Sequence, residues 1–182
     1  MKITKISKNT LIPTIWDGGE TFEYYIYPEN ALYANRDFLF RISAATINKV
    51  PSTFTKFKNY QRFLVMLDNN LSININGKEE SYTPNDVFKF DSDSYITSYT
   101  KGSDFNLMVN KNVETANVFF LNDTVQLNQS FIFLYALNDT SIEVNNEKIN
   151  LKKSDLLLIE NKDRSDIALK SESSVLVGSL LI

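Results

Sequence analysis

The chain has 182 residues, of which 43% are hydrophobic and 13% aromatic, and a net charge of −3. It contains no cysteine and no histidine, which excludes a disulfide framework, a thiol nucleophile, imidazole or thiolate metal ligands, and the base of a Ser-His-Asp triad. Any metal would need an all-oxygen site, and no calcium-loop spacing is present, so no cofactor is expected. The mild acidity and the lack of a basic run speak against a nucleic-acid partner. No apolar run approaches the roughly 20 residues that a membrane-spanning helix needs. The start, MKITKISKNTLIP, lacks the apolar region and cleavage site of a signal peptide, so a cytoplasmic location is expected.

Taken in order, the chain alternates with a period of two and has no long stretch of helical spacing. Residues 21–27 (TFEYYIY) are aromatic and strand-like, and end at Pro28. Residues 37–47 (DFLFRISAATI) predict a strand with Phe38, Phe40, Ile42 and Ala44 on one face and Leu39, Arg41, Ser43 and Ala45 on the other. Residues 48–60 carry a proline and scattered aromatics, as a functional loop or lid would. Strands follow at 61–67, 95–100 and 104–110, then near 118–121, 131–137, 141–145, 155–160, 167–169 and 174–182. Many short strands separated by turns predict an all-β sandwich or barrel.

One segment recurs. Residues 72–91 (SININGKEESYTPNDVFKFD) match residues 141–160 (SIEVNNEKINLKKSDLLLIE) without a gap, with four of the 20 pairs identical. Ile73 and Ile75 fall on Ile142 and Val144, Asn76-Gly77 on Asn145-Asn146, and Asp86 on Asp155. Asn-Gly is the strongest short signal for a hairpin, because a type I′ turn needs positive φ at both central residues. The reuse of strand, turn, strand and acidic break predicts two related β units. Their expected bounds are 1–112 and 113–182, forming one two-unit domain, and the matching register places Arg62 on Phe131.

Four polar blocks lie in the first half, in the order WDGGETFE (16–23), FRISAA (40–45), Gln61-Arg62 and GSDFNLM (102–108). In this order and spacing the chain resembles the HutD family, also called HutD/Ves, whose pattern is W-x-N-G-G-G-x-T-x-E, W-R-x-S-x-A, an Arg before an apolar strand, and D-F-N-x-M. Trp16, Gly18, Gly19, Thr21, Glu23, Arg41, Ser43, Ala45, Arg62, Asp104, Phe105, Asn106 and Met108 fit it. The chain departs from the pattern at Asp17, at Glu20 in place of the third glycine, at Phe40 in place of Trp, at the VPSTF segment and at Leu67-Asp68-Asn69. The resemblance implies a bicupin, two stacked double-stranded β-helix (jelly-roll) units from an internal duplication. It also implies a role in or near histidine utilisation, as a small-molecule-binding regulator. Ordinary cupins hold metal through histidines, which this chain lacks.

The expected ligand-binding set is Trp16, Gly18, Gly19, Thr21, Glu23, Arg41, Ser43, Arg62, Asp104 and Asn106. An Arg inside an apolar strand must be paired, either by an acid such as Glu23 or by a ligand carboxylate. Gly18-Gly19 either lets the backbone approach a ligand or makes a tight turn. Asn106 either faces a cavity or bonds a neighbouring backbone. Arg62 is a second pocket cation or a solvated residue at a strand start. The expectation is a carboxylate-binding protein, monomer or homodimer, with its pocket in the first unit around Arg41. A metal-free enzyme using Asp104 or Glu23 as acid or base, and an interaction module without a ligand, are the alternatives.

Overall fold

Alternation of apolar and polar residues makes strand nearly the whole of the regular structure; a computed structural model describes all residues from Met1 to Ile182. In chain order the strands are β1 (Lys2–Ile6), β2 (Thr14–Trp16), β3 (Gly19–Tyr27), β4 (Phe40–Ile47), β5 (Ser52–Thr53), β6 (Tyr60–Met66), β7 (Leu71–Ile75), β8 (Lys78–Tyr82), β9 (Phe88–Asp91), β10 (Ile96–Ser98) and β11 (Gly102–Asn110). There follow β12 (Thr115–Leu121), β13 (Thr124–Leu127), β14 (Phe131–Ala136), β15 (Thr140–Val144), β16 (Glu147–Leu151), β17 (Leu156–Glu160), β18 (Ile167–Ser171) and β19 (Val175–Leu181). Two 3-10 turns, at Lys8–Thr10 and Tyr33–Asn35, are the only helical pieces. No helix is long and apolar enough to cross a membrane.

The chain divides into two units, Leu11–Asn112 and Met1–Thr10 with Val113–Ile182. In the first, a six-stranded sheet runs β2-β3-β4-β11-β6-β9 and a four-stranded sheet β5-β10-β7-β8. In the second, the orders are β12-β19-β14-β17-β1 and β13-β18-β15-β16. Within the stretch from β4 to β9 the first order is the second with each strand replaced by its counterpart, and the four-stranded orders also correspond. Every pairing is antiparallel.

Residues 1–10 were expected in the first unit and lie in the second. β1 pairs with β17 from Lys2↔Glu160 to Ile6↔Leu156. Ile3 packs on the apolar core of that unit, Lys2 bridges Glu160 at 2.8 Å, and the Ser7 hydroxyl donates to Asp155 Oδ1 at 2.9 Å. KITKI has its two isoleucines on opposite faces and no apolar face that selects a sheet, so only the partner strand, far away in sequence, decides its place.

The recurrent segment is built the same way twice. Asn76 (φ 50) and Gly77 (φ 90), and Asn145 (φ 51) and Asn146 (φ 70), supply the positive φ pair of a type I′ turn. The Asn76 side chain accepts from the Tyr95 amide and that of Asn145 from the Ala168 amide, both at 2.9 Å. The acidic break is a closed turn: Asp86 accepts from the Thr83 amide at 2.7 Å, Asp155 from the Lys152 amide at 3.0 Å.

Two local expectations change. β4 begins at Phe40, and Phe38 packs with Phe57, Tyr60 and Met108 rather than on the Phe40 face. The 48–60 connection is not a free loop: β5 pairs with β10, the Phe54 and Phe57 amides donate to Ile96 and Ser92 carbonyls at 3.0 Å, and Phe57 is buried.

Asp155→Ala should destabilise the protein by about 1–3 kcal/mol, since it removes a buried carboxylate that accepts from the Lys152 amide and the Ser7 hydroxyl and bridges Lys5. Asp86→Ala, at the exposed counterpart turn, should cost less. Urea denaturation of the two variants checks the order, and equal losses would refute the strapping role of Asp155.

Candidate functional site

Strand register sets out the inner face of the six-stranded sheet as cross-strand rows. Thr21 pairs with Ala45 and Ala45 with Asp104; Glu23 pairs with Ser43, Ser43 with Asn106, and Asn106 with Leu64. In the next row Arg41 pairs with Met108 and Met108 with Arg62. A bulge between Glu23 and Tyr25 breaks the β3–β4 register, so Ile26 rather than Tyr25 stands opposite Arg41. These rows wall a cavity of ≈ 430 Å³. Tyr33 and the segment Ser52–Thr55 complete its lining. Arg41, Ser43, Arg62 and Asp104 are buried, whereas Thr14, Trp16, Thr53 and Thr55 are exposed and mark the mouth.

Eight of the ten expected residues line this cavity: Trp16, Thr21, Glu23, Arg41, Ser43, Arg62, Asp104 and Asn106. Gly18 and Gly19 do not. A Cβ at Gly19 would stand 1.8 Å from the Thr46 carbonyl oxygen, and one at Gly18 would enter the Trp16 ring at 1.9 Å. The pair therefore closes the β2–β3 turn tightly and seats the indole, whose N–H donates to Thr21 Oγ1 at 3.1 Å. Ser52, Phe54 and Tyr33 are lining residues that the sequence did not single out; the polar-aromatic alternation of STFT was the one available sign for the first two.

The two cations differ. Arg41 Nε donates to Glu23 Oε2 at 2.6 Å and Nη1 to Ser43 Oγ at 3.2 Å, and its guanidinium lies 4.3 Å from the centre of the Tyr33 ring. Its charge is met inside the protein. Arg62, only 6% exposed, donates to two neutral oxygens, Ser92 Oγ at 2.8 Å and the Thr55 carbonyl at 2.5 Å, and makes no ion pair. Burial lowers its pKa, with a smaller lowering effect from Arg41, while Tyr33 and Asp104 raise it, and a guanidinium stays charged at neutral pH.

Asp104 is 4% exposed. Burial pushes its carboxyl up to about 7, against the lowering pull of Arg62 and with a smaller raising effect from Asp68. The Asn106 Oδ1 and Ser52 Oγ atoms are buried without a hydrogen-bond partner. The cavity thus holds one guanidinium without an ion pair, a carboxyl poised near neutrality and two unmet polar atoms, a set suited to a small polar anion. No group of three or more Asp and Glu side chains is placed to hold a metal.

The folding unit is an all-β, jelly-roll type sandwich with a polar cavity against one sheet, the class of the cupin-like proteins. The HutD family model matches residues 9–177, and the chain belongs to the HutD family. The conserved protein of unknown function PA5104 from Pseudomonas aeruginosa PAO1 is similar at a TM-score of 0.86 and 20% identity, covering 100% of both chains. HutD from Pseudomonas fluorescens SBW25 (formate condition) is similar at 0.84 and 18%, covering 99% of this chain and 98% of that one. The bacterial pirin YhhW from Escherichia coli, in complex with nickel(II), gives 0.64 and 11% over 99% of each. No curated protein matches the chain.

A carboxyl raised from its ordinary 3.8 to about 7 on folding keeps its proton where the unfolded chain has released it. The folded state then binds more protons, so this group's contribution to stability falls as pH rises from about 4 to about 7 and is flat above. The loss reaches about 2–4 kcal/mol. Asp104→Asn should therefore gain on the parent protein by that amount between about pH 4 and pH 8. Chemical denaturation across this range checks it, and parallel profiles would refute it.

Proposed function

We propose that the protein binds a small carboxylate in the cavity of its first unit, with Arg62 as the anion's main partner. The observation that carries this reading is the buried Arg62 guanidinium, which faces the cavity and has only neutral oxygens as hydrogen-bond partners. A planar two-pronged donor of this kind matches a carboxylate. The earlier expectation centred on Arg41 is displaced, because Glu23 already answers that charge.

We further read the chain as a bicupin that arose by duplication. The support is the pair of equivalent hairpins, the paired Asp86 and Asp155 turns and the corresponding strand orders. In keeping with its family, the protein would serve as a metal-free, cytoplasmic binding protein or regulator in or near histidine utilisation. A metal-free acid–base enzyme is a second reading, favoured by one observation: the Asp104 carboxyl, at about 7, is matched to proton transfer at neutral pH. Turnover across a panel of small carboxylic metabolites would favour that reading, and ligand-dependent thermal stabilisation without turnover would favour the binder.

Arg62→Met should weaken binding of acetate, succinate or glutamate, whichever binds, by about tenfold to a hundredfold, the equivalent of one charge-assisted bond of about 1.5–3 kcal/mol. Arg62→Lys should lose less, and Arg41→Met should act mainly on stability. Calorimetric titration of the three variants checks the order. Binding unchanged in a folded Arg62→Met protein would place the anion elsewhere.

A further inference from the structure

The charges of the cavity balance in a way that leaves one proton undecided. Glu23 on β3 and Arg41 on β4 cancel each other in a direct bridge. What remains is Arg62 on β6, opposite Met108, and Asp104 on β11, opposite Met66, one on each side of the Leu64–Asn106 row and four residues apart in register. Asp68, in the connection after β6, is the one other acid that acts on Asp104, and its carboxylate is held by the Ser103 amide at 2.9 and 3.0 Å. Arg62 itself has no ion-pair partner within contact distance, and Asp104 is the one carboxylate whose charge acts on it, as its own charge acts on Asp104.

We propose that Asp104 is a ligand-binding residue that exchanges roles with the ligand: it acts as the distant counter-ion of Arg62 in the empty cavity and becomes a neutral carboxylic acid when a carboxylate ligand takes that guanidinium. The inference rests on the carboxylate reading above. Asp104 is almost fully buried and only the charge of Arg62 offsets its desolvation, so once a ligand carboxylate takes that guanidinium one of the two acids takes up a proton. Asp104 is the candidate because the ligand is held by two-pronged donation, which favours its charged form. The proton comes from solvent and forms an O–H bond on the Asp104 carboxyl; the ligand's carboxylate is unchanged. The new O–H is a donor on the strand face that also carries Asn106, whose Oδ1 is buried without a donor. The cavity therefore takes a single negative charge and admits it together with one proton.

The position of the carboxyl near neutrality makes the exchange measurable. Acetate is the probe, titrated by calorimetry in two buffers of different ionisation enthalpy. Near pH 8 the uptake should approach one proton per acetate bound, falling towards none near pH 5.5, and the acetate Kd should rise about tenfold per unit above about pH 7. In Asp104→Asn the uptake should vanish and the affinity should no longer depend on pH. Carbon-13 NMR titration of Asp104 in the unaltered protein needs no variant: its midpoint should move upward when acetate saturates the cavity. Acetate binding that is lost in Arg62→Met but occurs without proton uptake and with an unmoved Asp104 midpoint would overturn the exchange and leave the carboxylate reading standing. Absence of acetate binding from pH 5.5 to 8.5 would overturn both readings for this ligand class.

Discussion

The first unit is organised around the burial of the Arg62 guanidinium. Taking such a group out of water costs about several kcal/mol even after the surroundings relax, and the protein returns only two hydrogen bonds to neutral oxygens and a ring, Phe57, 5.6 Å away. The pieces that meet it come from separate parts of the chain: Thr55 from the segment after β5 and Ser92 from the end of β9. The 48–60 connection is thereby tied down by the cation as well as by its β5–β10 pairing. Removing the charge would loosen the wall of the cavity.

The second unit is the internal control for what the fold itself demands. There the corresponding strands pair in the same order, and register gives the counterpart of each polar residue. Arg62 lies opposite Phe90 and Ile132 opposite Ile159, so Ile132 stands where Arg62 does. By the same registers Asp104 and Asn106 correspond to Val175 and Val177, and Ser43 to Phe119. All four counterparts belong to or pack against one apolar core. An isoleucine and two valines close the same topology with no unmet polar atom among them, so the polar interior of the first unit is not required for folding. A cost of this kind, confined to one cavity, marks a functional site.

Much of this was legible in the sequence, and the failures have physical causes. The Asn76-Gly77 turn and its Asn145-Asn146 partner were readable because positive φ restricts which residues fit. The Arg41-Ser43 face was readable from alternation alone. The match of Arg62 to Phe131 was off by one: β6 and β7 are joined by four residues, β14 and β15 by three, and a single-residue slip turns every side chain to the opposite face. That same slip hid Ile132 as the true counterpart. The bridge between Arg41 and Glu23 was one of two options the sequence left open, since spacing cannot distinguish an internal acid from a ligand's. Residues 1–10 were misplaced because strand partners are non-local, and Tyr33 was missed because nothing local marks an aromatic that covers a cation.

The bulge in β3 explains how one short sequence block can serve both the rim and the floor. Without an extra residue at Tyr24, the alternation that turns Thr21 and Glu23 to the cavity would turn Tyr25 there as well, opposite Arg41. With it, Tyr25 moves to the row of Ile42 and Ile26 takes the place beside Arg41, packing with Phe38, Phe57 and Met108. The Glu23 carboxylate is left as the last polar group before an apolar cluster, within 2.6 Å of Arg41. At the other end of β3 the close approach of Gly19 to the Thr46 carbonyl brings the β2 edge strand over, and Trp16 comes to the mouth. Two backbone irregularities thus divide the labour. One neutralises the cation on β4, which leaves the cation on β6 as the one in the cavity without an ion pair.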